Sequence, residues 1–354
     1  MPLIIEGPIP PLWEERTRAG FPANCSTCGE ACLTLALINN MPDPALEDTE
    51  LQFFQLLDVA SGDLPVYLKL YSTAGVPRAD QGQRHLNNFY FPFDDLWSRR
   101  FDGVIITGTE PHQPDLRDEP YWKLLAEVFD WAARNTSSTI LSCLAAHASV
   151  LHFDGISRHR LPDKQFGVFS SKKQRNSVLL SHAPEVVRFP HSRWNEVRGS
   201  ELNSCGYAVL TESREAGVDL FVKEMQKSLF VHFQGHPEYS AHTLLKEYRR
   251  DIRRFLRGER ETYPSMPVGY FDEEAARLLE TFRSGATPGS GDEIIFQSFP
   301  QSVAEGLQNT WHASAVSVYR DWLGYVAARK TKSSPVSITP KPRAAHAAVN
   351  HEIS

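Results

Sequence analysis

No stretch of this chain reaches the roughly 18–20 consecutive apolar residues that a membrane-spanning helix needs. The first twenty residues lack the basic segment and apolar core of a secretory leader, and they carry Pro8, Pro10 and Pro11. Cytoplasmic residence is therefore the expectation. Positive charge is not in surplus: 37 Lys and Arg stand against 43 Asp and Glu, a formal net charge of −6. That balance argues against general nucleic-acid binding. Cysteine is sparse, five in 354 residues, and an odd number without a leader predicts reduced thiols rather than a disulfide framework. No internal repeat is present. What remains is the composition of a globular protein long enough to bury a large core.

Three of the cysteines, Cys25, Cys28 and Cys32, fall within residues 1–32, which read as an irregular arm. Their spacing admits zinc or, with a fourth ligand, an iron–sulfur cluster. No second Cys/His pair stands close by, so free or redox-active thiols are preferred and no metal is expected.

From residue 33 onward strand and helix signals alternate. Apolar runs at 33–38, 66–71 and 101–107 predict strands buried on both faces. Leu51, Phe54, Leu56 and Leu57 predict a helix over 47–60. Residues 86–99 are helical but interrupted by Pro92, and 121–134 has a strong amphipathic pattern. This rhythm predicts an α/β fold, a mostly parallel sheet with helices on both faces. Right-handed crossovers place the strand carboxyl ends on one edge, where open sheets of this kind bind ligands. The second half is richer in strands, over 166–170, 207–211, 218–222 and 228–233. Helices are expected over 241–256, 272–282 and 312–328. Residues 33–328 then form one catalytic domain, and the Lys-, Ser-, Pro- and Ala-rich residues 329–354 a disordered tail.

The chemistry centres on Ser138-Thr139-Ile140-Leu141-Ser142-Cys143, followed at once by Leu144-Ala145-Ala146-His147. A β-branched run turning into small, helix-favouring residues places Cys143 at a tight strand-to-helix corner, near the positive end of a helix dipole that favours thiolate. The alternative is a buried thiol at the end of a core strand. A cysteine nucleophile needs a base, and the base needs an orienting group. His236 follows the strand at 228–233 and belongs at the same edge. Glu238, two residues on, would hold its imidazole in one tautomer. The alternative is a turn histidine with ordinary hydrogen bonds. His147 is a rival base, but its place one turn past Cys143 puts it on the helix face. The backbone N–H of Leu144 would serve an oxyanion hole, with a second donor from another loop. Arg193 and Arg250 are candidate anion holders, because a guanidinium presents a bidentate fork. Arg249, Arg253 and Arg254 read as solvated surface charge.

Ordered motifs carry a family likeness. They include Asn40-Met41-Pro42 with Asp48-Thr49-Glu50-Leu51-Gln52-Phe53, and His85-Leu86-Asn87-Asn88-Phe89-Tyr90. Phe166-Gly167-Val168-Phe169-Ser170, Pro190-His191-Ser192-Arg193 and Gly235-His236-Pro237-Glu238-Tyr239 follow, with Glu247-Tyr248, Arg250-Asp251 and Asn309-Thr310-Trp311. From about Leu33 to Ala328 the chain resembles a divergent member of the homoserine O-succinyltransferase/O-acetyltransferase family of methionine biosynthesis. The resemblance implies a flavodoxin-like, class I glutamine-amidotransferase-like fold. It implies that Cys143 takes an acyl group from acyl-CoA, and that His236, oriented by Glu238, then deprotonates the hydroxyl of homoserine in a ping-pong reaction. Arg250 matches the arginine that holds the amino acid's carboxylate, and His191, Ser192 and Arg193 match the substrate-pocket motif. His112 aligns with the position separating succinyl from acetyl users, with succinyl slightly favoured. No bound cofactor is expected, acyl-CoA being a co-substrate. The partners are small molecules, neither nucleic acid nor membrane, with a homodimer as the assembly. Two departures stand out. Asp43-Pro44 replaces a lysine pair, and Leu144 to His147 replaces an aromatic, Gly, Ala and Gln. A serine-type acceptor, or an amidase or glutaminase using the same Cys–His–Glu set, is the alternative activity.

Overall fold

The run Leu33-Thr34-Leu35-Ala36-Leu37-Ile38 shows how the molecule is layered. Leu33, Leu35 and Leu37 point into one apolar cluster, and Ala36 and Ile38 into another on the opposite face. The structure is a computed structural model that describes residues 3–17, 32–286 and 296–333. Its strands are β1 (Leu3–Ile5), β2 (Leu33–Ile38), β3 (Val66–Tyr71), β4 (Gly103–Ile106), β5 (Ser138–Ser142), β6 (His159–Lys173), β7 (Val186–Glu196), β8 (Ala208–Ser213), β9 (Gly217–Met225) and β10 (Ser228–Phe233). They form one sheet in the order β1-β3-β2-β4-β5-β10-β9-β8-β6-β7. Pairing is parallel from β1 to β10 and antiparallel from β10 to β7. Strand β10 is the seam: Val231 pairs with Ile140 of β5 on one side and Val222 of β9 on the other.

The helices are α1 (Pro11–Thr17), α2 (Asp43–Ser61), α3 (Asp80–Phe89), α4 (Asp94–Ser98), α5 (Trp122–Asn135), α6 (Leu144–Asp154), α7 (Gly199–Ser204), α8 (Thr243–Leu256), α9 (Glu273–Ser284) and α10 (His312–Ser333). One face of the sheet is covered by Phe53, Phe54 and Leu57 of α2 with Tyr319 and Trp322 of α10. The other is covered by Val128 and Phe129 of α5 with Ala145, Ala146 and Ala148 of α6. A third cluster, with Phe166, Tyr248, Ile252 and Trp311, forms around α8 and α9. Trp311 Nε1 donates to the carbonyl of Tyr239 at 2.9 Å, tying this cluster to the turn that follows β10. Fully burying such a ring contributes about 1.5–3 kcal/mol.

The structure revises several expectations. The start of the chain is not wholly irregular: β1 pairs with β3, and Trp13 of α1 packs edge-on against Phe54 at 5.5 Å. Cys32 is disulfide-bonded rather than reduced, whereas Cys143 and Cys205 are free; Cys25 and Cys28 lie outside the described residues. The last helix continues past residue 328 to Ser333, with Lys330 Nζ bonded to Cys32 O and Asp102 Oδ2, each at 2.9 Å. Residues 334–354 lie outside the described ones. Among the described residues no helix is long and apolar enough to cross a membrane.

Candidate active site

Strands β4, β5 and β10 are parallel neighbours, so their carboxyl ends deliver Gly108, Cys143 and His236 to one edge. Cys143 has φ 51° and ψ −107°, a conformation rare for a residue with a side chain. Such backbone costs on the order of 1–3 kcal/mol and persists only when its surroundings enforce it. Here Cys143 N donates to Phe233 O at 2.8 Å, and its carbonyl accepts from Ala146 N and His147 N. The corner is thereby fixed to β10 on one side and to the first turn of α6 on the other. The thiol stays partly accessible. Leu144 is the first residue of α6, where a backbone N–H has no intrahelical acceptor.

Gly108 faces that N–H. A β-carbon at Gly108 would lie 2.9 Å from Leu144 Cβ and 3.0 Å from Leu144 N. Glycine is required there by close approach, and it leaves the space before the Leu144 N–H open. The loop is held from behind: Thr107 Oγ1 donates to Gly108 O at 3.0 Å and accepts from Asn40 N at 2.8 Å.

On the other side of the sulfur, His236 Nδ1 lies 2.8 Å from Glu238 Oε1, which also accepts from Ser142 Oγ at 3.2 Å. Burial by itself would lower the His236 pKa. The negative charges of Cys143 and Glu238, with hydrogen bonds to both, outweigh it and hold the imidazole well above its ordinary value. Tyr239 stacks on the ring at 4.2 Å with 17° between planes. Below, His236 N donates to Pro190 O at 2.7 Å. Gly235 N donates to Asp219 Oδ1 at 3.0 Å, and a β-carbon at Gly235 would come within 2.9 Å of both Asp219 Oδ1 and His191 Nε2.

The remaining candidates divide between the opening and the floor. His191 is wholly buried, with Nδ1 accepting from Arg193 Nε at 3.3 Å and Nε2 3.5 Å from Asp219. Arg193 is buried too, and its terminal nitrogens donate to Asn195 O at 2.8 Å and Ala216 O at 2.5 Å. Burial lowers its pKa, opposed by negative charge on Cys143 and Asp219. Ser192 Oγ donates to Glu247, a partly buried carboxylate also bonded by Tyr239 at 2.7 Å and paired with Lys164 at 3.4 Å. Burial pushes the Glu247 carboxyl up, but Lys164, Arg250 and the two hydroxyls outweigh it and keep it ionised. Arg250 sits one helical turn along α8 from Glu247 with its side chain 47% exposed, and pairs with Asp251 at 3.0 Å. His112 is exposed on the loop after β4, its backbone N–H fixed by Glu119 at 2.5 Å. His147 is absent from this edge, being bonded to Gln234 at 2.9 Å in the interior. Asp43, standing where a lysine was expected, opens α2 and pairs with Arg78 at 3.1 Å.

The sequence places Gly108, at the end of a strand, on the same crevice as Cys143, and the structure agrees; Tyr239, Glu247, Lys164 and Asp219 were missed as parts of this site. Only Glu247 carried a signal, its helical spacing from Arg250.

Comparison with known proteins identifies the family of the chain. The family model described as "HTS: Homoserine O-succinyltransferase" matches residues 24–333. A homoserine O-succinyltransferase of Rhodopseudomonas palustris is 43% identical over 82% of this chain and 87% of its own length. One from Methylorubrum extorquens is 42% identical over 84% and 88%, and one from Methylobacter tundripaludum 36% identical over 92% and 93%. Among solved structures, a glutamine amido transferase from Methylobacillus Flagellatus aligns over 83% of this chain and 95% of its own, at 15% identity and a TM-score of 0.46. With a family model matching nearly its whole described length and relatives this similar, the chain belongs to the homoserine O-succinyltransferase family.

Proposed function

We propose that this protein transfers an acyl group, succinyl in preference to acetyl, from acyl-CoA to the hydroxyl of homoserine through a thioester on Cys143. The observation that carries this reading is the placement of His236 beside Cys143, whose charge acts on its ring, and in hydrogen-bonding contact with Glu238 at 2.8 Å. In the first half-reaction the sulfur attacks the thioester carbonyl. The oxyanion forms in the space between Gly108 and the Leu144 N–H, which donates to it. The imidazolium of His236 gives its proton to the departing CoA thiolate. In the second half-reaction the neutral ring takes the proton of the homoserine hydroxyl, whose oxygen attacks the acyl carbon. Cys143 leaves as thiolate and the ester is released. Glu238 keeps the ring in one tautomer throughout.

Arg250, with its fork exposed, holds the carboxylate of the amino acid. Its charge is supported by Glu247 and Asp251, which together outweigh burial and raise its pKa. Ser192 fixes Glu247, while His191 and Arg193 carry the floor on which the His236 turn rests. His112 lies on the loop assigned to acyl choice, where an imidazole pairs with a succinyl carboxylate. The preference for succinyl follows the names of the relatives. Release of CoA thiol from succinyl- and acetyl-CoA, each with homoserine or serine, tests the assignment. Succinyl-CoA with homoserine should give the highest kcat/KM; hydrolysis of glutamine without CoA release would overturn the reading.

A further inference from the structure

The outer face of α8 carries a charge pattern that an isolated helix would disfavour. Lys246, Arg249, Arg250, Arg253, Arg254 and Arg257 line a concavity of about 430 Å³, against a single carboxylate, Glu259. They recur at three- and four-residue spacing, while Leu244, Leu245, Tyr248, Ile252 and Phe255 bury the opposite face. The pairs 246/250, 249/253, 250/254 and 253/257 are like-charged at the spacing where such neighbours repel. This happens in a chain whose net charge is −6, so the concentration is local.

The carboxylates around the groove only partly offset it. Lys246 reaches Asp48 at 2.5 Å, Arg254 reaches Glu110 at 3.7 Å, Arg257 reaches Glu259 at 3.9 Å, and Arg250 holds Asp251. Arg249 and Arg253 lie over the rings of Phe299 and Phe296, at 5.0 and 4.0 Å. Burial and the neighbouring charge of Arg253 both lower the pKa of Arg249, as expected where cations crowd.

Arg250 of the groove interacts with Glu247, the carboxylate that Tyr239 and Ser192 bond beside His236, and Glu110, which meets Arg254, stands two residues past Gly108. From Arg250 to Arg257 the helix rises about 10 Å at 1.5 Å per residue. A thioester at Cys143 with a polyanionic end some distance away is what this layout would accept. We propose that the groove along α8 binds the phosphates of the CoA nucleotide, giving the acyl donor a second point of attachment. The assignment rests on the acyl-CoA reading above and adds to it the donor's anchoring site. Arginine forks suit phosphate oxygens, and the attraction is screened by salt.

The test compares two donors in the full chain: succinyl-CoA and the succinyl thioester of pantetheine, which lacks the phosphates. In Arg249→Gln/Arg257→Gln, the kcat/KM preference for the CoA donor should fall roughly 10- to 100-fold, through KM. Inhibition by adenosine 3′,5′-bisphosphate should weaken in parallel. Arg249→Lys/Arg257→Lys should recover part of the preference, and Arg277→Gln, on a different helix, should retain it. An unchanged donor ratio with inhibition intact would overturn the proposal. Should neither donor be used, the acyltransferase reading fails separately, and calorimetric binding of adenosine 3′,5′-bisphosphate still decides the groove. Binding lost in the glutamine variant supports it, and no binding to the native protein refutes it. Preference for a single-stranded oligonucleotide over the bisphosphate would also refute it.

Discussion

Helix α6 and the segment leaving β10 contribute a histidine each to two regions that differ in how their polar groups are closed. In the interior, His147 donates from Nε2 to Gln234 Oε1 at 2.9 Å. The same oxygen accepts from Val197 N at 2.9 Å, and the Gln234 amide donates to Val197 O and Val218 O. Among the described residues no anion acts on the ring, and burial lowers its pKa to about 3, so it is neutral. His232, stacked on Phe221 at 4.6 Å, is likewise lowered to about 3 by burial. At the sheet edge His236 is also buried, yet its pKa moves the other way, because Cys143 and Glu238 place negative charge on both sides of it. Burial does not make a histidine catalytic. The difference lies in anionic partners and in an opening such as the one Gly108 leaves beside Leu144.

The comparison breaks most visibly if the wrong histidine matters. His236→Gln should reduce kcat on the order of 10³-fold, whereas His147→Gln should alter it less than about threefold. Steady-state rates with both variants decide between them, and the opposite ranking would reassign the base to α6. The next largest effect belongs to the opening. Gly108→Ala places a methyl group in front of the Leu144 N–H and should lower kcat about 10²- to 10³-fold. The methyl would also press on Leu144 Cβ at 2.9 Å and Leu144 N at 3.0 Å, so the thermal midpoint should fall as well.

The smallest effect on activity concerns the interior pair, where the consequence is stability. His147 and His232 stay neutral when folded but bind protons near pH 6.5 when unfolded. The unfolded state therefore takes up more protons between about pH 3 and 6.5. Stability is fully present above that window and falls as pH drops through it, by up to about 1.4 kcal/mol per unit for each ring. Denaturant melts between pH 5 and 6.5 should show a shallower slope in His147→Gln than in the native chain.

Strands β2, β3 and β10 were legible to the residue because both faces are buried and the apolar runs are continuous. The corner at Cys143 was legible from the abrupt change to small residues, and His236 with Glu238 from their place after a strand. Strand β1 and helix α1 were not: three and seven residues carry no periodicity of their own, and their order comes from pairing with β3 and packing on Phe54. Strand β7 was hidden because His191 and Arg193 look like exposed chemistry. They are buried with partners at Asp219, Asn195 and Ala216 that no local pattern reveals. Arg249, Arg253 and Arg254 read as ordinary surface charge until the fold set them around one concavity beside Arg250. Gly108 and Cys143 were legible as neighbours on one crevice, but the close approach of Gly108, in the loop after β4, to Leu144, the first residue of α6, was not.

The central claim is that Cys143 carries the acyl group. Intact-mass and peptide-mapping measurements after mixing the protein with succinyl-CoA, with no acceptor present, test it most directly. One succinyl adduct is expected, located on Cys143, absent in Cys143→Ala and discharged on addition of homoserine. An adduct on another residue, or full turnover by the alanine variant, would contradict it.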